Sequence, residues 1–121
     1  MSTPRIPASH VDLFMSQWDD KQFIFTVLES DGTAVDWSTI SEIEFVIARN
    51  VTTAALLTKT LTGATISTSA GGVFYFDVTS AQSGALPTGI LYCEAQITAT
   101  SGDKQTVAAG HFRNEDTLIG D

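Results

Sequence analysis

Along most of this chain, apolar and polar residues alternate with a period of two. Residues 42–49, EIEFVIAR, put Ile43, Phe45 and Ile47 on one face and Glu42, Glu44 and Val46 on the other. That alternation predicts a half-buried antiparallel strand with one wet face. Residues 73–78 repeat it, with Phe74, Phe76 and Val78 set against Val73, Tyr75 and Asp77. Residues 90–100 form the longest run and carry Leu91, Cys93, Ala95, Ile97 and Ala99 on the inner face. Residues 22–29, QFIFTVLE, are rich in the aromatic and β-branched side chains that suit a pleated surface. Residues 56–61 and 64–67 predict two shorter strands, and residues 105–113 a returning one. In that last strand Val107 and Phe112 fall on opposite faces, and a bulge near Gly110 would reconcile them.

Turn residues separate these runs at Asp31-Gly32, Gly71-Gly72 and Ser101-Gly102. About seven short alternating strands with such punctuation predict an all-β sandwich or barrel. Thr79 followed by Gln82 forms a capping-box pattern, and Gly84 and Pro87 end it, so residues 80–84 read as one helical turn.

The first twenty residues differ. Residues 1–8 hold two prolines and no periodicity. Ser9 then stands where it can cap a short helix, with Val11, Phe14, Met15 and Trp18 at i, i+3, i+4 and i+7. The expected organisation is an N-terminal arm over residues 1–20 and a β-sandwich over residues 21–121. The apolar stripe packs either on the chain's own sandwich or on a neighbouring subunit. The second option makes Val11, Phe14, Met15 and Trp18 the candidate interface.

Composition narrows the range of functions. The 121 residues are 43% hydrophobic and 17% charged, a globular balance with length enough for one core. A formal net charge of −8, with six scattered Lys and Arg, repels phosphate and argues against nucleic acid and membrane partners. The single cysteine, Cys93, lies inside an apolar strand pattern, where a buried thiol is expected. No basic, apolar leader opens the sequence, and no apolar run approaches the roughly 20 residues that span a bilayer. The expectation is a protein made and used in solution.

The motif search favours a non-enzymatic role. The sequence has no Gly-x-Ser-x-Gly elbow and no phosphate-binding glycine loop with lysine. His10 and His111 lack ligand-type spacing with each other or with Cys93, so neither a metal nor a cofactor site is expected. His111, late in the last strand, reads as a rim or surface residue. Asp19, Asp20, Glu29, Asp31 and Asp36 cluster in sequence and could in principle serve a hydrolase or calcium. Turn chemistry already accounts for Asp31, and a bond to its own backbone for Asp36. Asn50-Val51-Thr52 matches the glycosylation acceptor pattern, with no secretory signal beside it. Trp37, Tyr75 and Tyr92 are the residues a carbohydrate-binding module would use for stacking; the alternative is that Trp37 plugs the sandwich end beside Ile40.

Several segments together resemble a known domain. They are Phe23-Ile24-Phe25-Thr26-Val27, Asp31-Gly32, Val35-Asp36-Trp37-Ser38 and the strand from Ile43 to Arg49. Gly72-Val73-Phe74, Leu86-Pro87-Thr88-Gly89, Gly102-Asp103 and Gly110-His111-Phe112 continue the match. The chain from Gln17 to Thr117 resembles the immunoglobulin-like domain of tailed-phage structural proteins, as at the amino terminus of baseplate upper proteins. Trp37 stands where that family usually has Leu, and Asp19-Asp20 where it has a turn glycine. The resemblance implies an immunoglobulin-like antiparallel sandwich that acts in a virion through contacts with other phage structural proteins. It leaves open a baseplate, neck, tail or capsid-decorating position. The runner-up is a carbohydrate-binding sandwich in a fibre or adhesin.

Overall fold

The computed structural model describes residues 9–116. Eight strands and one short helix follow in order: β1 (Ser9–Ser16), β2 (Lys21–Thr26), β3 (Ile40–Ala48), β4 (Ala55–Thr60), β5 (Ser67–Ser69), β6 (Val73–Val78), α1 (Ser80–Ala85), β7 (Gly89–Ala99) and β8 (Lys104–Glu115). They form a five-stranded sheet ordered β1-β8-β7-β3-β4 and a three-stranded sheet ordered β2-β6-β5. This is an immunoglobulin-like β-sandwich. Every pairing is antiparallel except β1 with β8, which run parallel.

The alternation in the sequence sets which side chains meet. Phe45 from the larger sheet and Phe25, Phe74 and Phe76 from the smaller stack across the interior. Ring centroids lie 4.9 Å apart for Phe25–Phe74 and 4.5 Å for Phe45–Phe76. Phe112 reaches Phe23 at 5.5 Å, and Ile43, Ile47, Leu91, Cys93, Ala95 and Ile97 add to the larger sheet's inner face. Offset aromatic pairs of this kind add to the area that the rings remove from water.

The expected helix over the first residues is corrected. Residues 9–16 are a strand, with Val11, Leu13 and Met15 turned inward and His10, Asp12 and Phe14 outward. HVDLFM fits a period of two as well as a helical stripe, because Phe14 is apolar at an outward position. The parallel ladder decides between them: β1 pairs with β8 residue by residue from Ser9 to Ser16. Residues 9–16 are therefore an edge strand of the sandwich, which raises the strand count to eight. The proline-bearing residues 1–8 of the expected arm lie outside the described residues.

The bulge in the last strand sits earlier than expected. The β7–β8 register shifts between Ala95 and Gln96, which face Ala108 and Thr106 and leave Val107 as the extra residue. Val107 and Ala108 both turn inward in consequence, and parity with Phe112 is restored. Gly110 serves another purpose: a Cβ there would drive into the Val11 carbonyl of β1.

The capping box appears as predicted. Thr79 Oγ1 accepts from Gln82 N–H, and Gln82 Oε1 accepts from Thr79 N–H. The same Gln82 oxygen accepts from Lys59 Nζ at 2.9 Å. Lys59, the one charged residue between Thr52 and Gly72, faces inward opposite Phe45 and is buried to 5% exposure. Burial lowers its pKa, and the nearby Asp77 charge opposes that shift.

Glu42 makes a tie that its outward parity did not suggest. Its Oε1 accepts from Leu61 N–H at 3.1 Å and Thr62 N–H at 3.0 Å, and its other oxygen from the Thr62 hydroxyl. Partial burial pulls its pKa up, but the bonds from Thr62, Ile43 and Leu61 outweigh that and hold it below the usual 4.5. A carboxyl depressed by folding adds stability above its unfolded pKa and loses it as pH falls through the folded one. Stability should therefore fall below about pH 4.5, and Glu42→Gln should flatten that decline. The effect is a fraction of a kcal/mol, because solvent still reaches this half-buried group and screens it. Urea midpoints at about pH 6 and about pH 3 measure it. Identical declines in the two proteins would remove Glu42 as a source.

Candidate functional site

Strand β1 lies between two apolar concavities. On the outer face of the larger sheet, Phe14, Ile90, Asp12, His111 and Arg113 line a depression of about 290 Å³. At the sandwich edge, Val11, Phe25, Val27, Val107 and Ala108 line a groove of about 490 Å³, with Ile24 and Leu28 at its rim. Leu13 borders both. Phe14 is 59% exposed, Ile24 65% and Ile90 62%, high values for large apolar side chains. The Lys21 ammonium sits 4.1 Å over the Phe14 ring and donates to the Phe14 carbonyl, which fixes the ring on the surface.

The four stripe residues do not share one face. Val11 points toward the edge groove, Met15 is buried in the core and Phe14 projects outward. Trp18 is half-buried in the β1–β2 turn with φ +72°, a left-handed conformation costly for a bulky residue. Its ring occupies the space that a side chain at Gly84 would need. Gln17 Nε2 holds the same turn by donating to the carbonyls of Gly84 and Leu86. Asp20 Oδ1 accepts from Ser80 N–H at 2.7 Å, and Ser83 Oγ donates to the Asp19 carbonyl. The two aspartates thus tie the turn to α1.

Beneath α1, Asn114 of β8 is completely buried. Its Nδ2 donates to the carbonyls of Ser83, Leu86 and Pro87 at 3.0, 3.2 and 3.3 Å. Its Oδ1 has no hydrogen-bond partner among the described residues. Local pattern does not signal this anchor, because its partners lie on α1 and the segment after it, far from Asn114 in sequence.

The other candidates take structural roles. Asp31 Oδ1 accepts from Thr33 N–H and Oγ1, and those bonds lower its pKa. Asp36 caps the 3-10 turn Trp37–Thr39 by accepting from Ser38, with the same result. Trp37 Nε1 donates to the Val73 carbonyl and its ring packs edge-on against Phe74, as a plug of the sandwich end would. Tyr75 lies on the outer face of the smaller sheet and Tyr92 on that of the larger, its hydroxyl bonded to Glu94. The three aromatic residues therefore do not form one stacking platform. Cys93 is fully buried, and burial pushes its thiol up to about 12, well away from the nucleophilic thiolate.

His10 and His111, expected to stand apart, are brought together by the parallel β1–β8 ladder. Asp12 faces His111 in register, and His10 lies two residues away on the same side. Asp12 carboxylate oxygens lie 3.4 Å from His10 Nε2 and 3.6 Å from His111 Nδ1. All three side chains are exposed, as read for His111.

No protein-family model matches the chain, and no curated protein sequence matches it. Among solved structures it is similar to CopC from Methylosinus trichosporium OB3b, with 10% identity, a TM-score of 0.51, and coverage of 97% of this chain and 98% of that one. It is also similar to fibronectin(III)-like modules of CbhA from Clostridium thermocellum, with 9% identity, a TM-score of 0.44, and coverage of 95% and 99%. At such identities the likeness is one of fold alone.

Proposed function

We propose that this chain is a structural component of a phage virion and works through contacts with other protein subunits. The observation that carries the reading is the apolar surface flanking β1, where Phe14 and Ile90 on one side and Ile24 and Leu28 on the other face solvent. An exposed apolar surface beside an open sheet edge favours association with another chain. The free edge of β2 borders the same groove. The family resemblance from Gln17 to Thr117 supplies the virion setting, and the acidic charge suits a protein-protein role better than a nucleic acid one.

Deleting residues 1–20 is a poor test, because it would strip β1 from its sheet and expose the core around Met15. The double substitution Phe14→Glu with Ile24→Glu alters only outward positions. Mass spectrometry of density-purified particles encoded by the same genome should detect the chain as a stoichiometric component. The double variant should be incorporated at least about tenfold less, the equivalent of one lost hot spot. Particles lacking the chain, or equal incorporation of both forms, would overturn the reading.

A further inference from the structure

Strand geometry gathers a metal-type donor set on the outer face of the larger sheet. His10 and Asp12 are two apart on β1 and so point the same way. β8 runs parallel in register, which puts His111 directly beside Asp12. Two imidazoles and one carboxylate converge as a result, with one ligand atom from each lying within 4.8 Å of the others.

We propose that His10, Asp12 and His111 bind a first-row divalent transition metal ion of the Zn²⁺ or Cu²⁺ kind. In a tetrahedral site with bonds of 2.0–2.1 Å, neighbouring donors are about 3.3 Å apart. His10 Nε2 lies 3.4 Å from Asp12 Oδ2 and His111 Nδ1 lies 3.6 Å from Oδ1, so each ring faces one carboxylate oxygen, and one donor atom from each of the three residues falls within 4.8 Å of the others. Closing the remaining gap requires only side-chain rotation, and at 60–73% exposure these side chains have room to rotate. The imidazole rings stand at 81° to one another with centroids 6.1 Å apart, so they approach from different directions.

The donors also set the selectivity. Imidazole nitrogen suits zinc, copper and nickel, whereas calcium and magnesium take oxygen ligands. Three protein donors leave a coordination position facing solvent, open to water or to a donor from another molecule. The chain's net charge of −8 raises the local concentration of cations. Asp12 and His111 line the same depression as Phe14 and Ile90, but metal binding by the free chain needs no partner, so the two readings can fail separately.

Titration calorimetry of the untagged, metal-free full chain with ZnCl₂ and CuCl₂ tests the proposal. The expected result is one equivalent of Zn²⁺ or Cu²⁺ per chain at micromolar concentration or below, with no comparable heat from MgCl₂ or CaCl₂. His10→Ala, Asp12→Asn and His111→Ala should each weaken binding at least about tenfold, the low end for loss of even an outer-shell partner. All three positions are exposed, so an unchanged circular dichroism spectrum should show that the variants fold. Substoichiometric Zn²⁺ should also shift the imidazole NMR signals of His10 and His111 together. Binding only at millimolar metal, or binding unchanged by either histidine substitution, would overturn the proposal.

Discussion

Asn114→Asp should cost about 4 kcal/mol of stability at neutral pH, the scale of an uncompensated buried charge. The amide is fully buried and gives its Nδ2 hydrogens to the carbonyls of Ser83, Leu86 and Pro87. A carboxylate there would aim negative charge at three acceptors. Its protonated form could still donate one bond, so folding would raise the carboxyl's pKa. For such a group, stability is retained below the unfolded value of about 3.9 and lost as pH rises toward the folded one. The damage should therefore be smallest in acid. Asn114→Leu removes the same donors without adding charge and should cost about 3 kcal/mol, with little dependence on pH. Urea unfolding of both variants at about pH 4 and about pH 7 separates the two effects. Equal losses at both pH values would show that charge plays no part at this position.

Gly110→Ala should cost about 3 kcal/mol by overpacking against backbone, which cannot rotate away. The added methyl meets the Val11 carbonyl, so β1 must lift from β8. Lifting exposes Met15 and breaks the pairings of Asp12 with His111 and Leu13 with Phe112. Hydrogen exchange should locate the damage: protection should fall across residues 9–16 and persist in β3 and β7. Intact protection in β1 would mean that the strand accommodates the methyl and that the glycine is dispensable.

The sandwich itself was legible from period-two alternation, which fixed the inward sets of β3, β6 and β7 correctly. The capping box at Thr79 and Gln82 and the hairpin at Ser101-Gly102 were local enough to read directly. The first strand was not. Its HVDLFM segment satisfies two periods, and only pairing with a strand at the far end of the chain selects one. The same distance hid the His10–Asp12–His111 group, because ligand spacing is read along the sequence and this group forms between strands. The burial of Lys59 and Asn114 was not legible for a related reason. Each is polar at an inward position, held by Gln82 or by the α1 carbonyls, and tertiary partners of that kind leave no trace in local pattern. The bulge was inferred from the clash of Val107 and Phe112, but parity alone does not say where along the strand it falls.

The parallel seam between β1 and β8 also bears on how the chain reaches this arrangement. Ribosomes release β1 long before β8, yet among the described residues β8 is the strand that β1 pairs with in the larger sheet. Until β8 is complete, β1 has nowhere in that sheet to dock, and closing so long a loop carries a high entropic cost. Docking of β1 thus becomes a late step, during which the apolar edge of the nascent sandwich stands open to neighbouring chains.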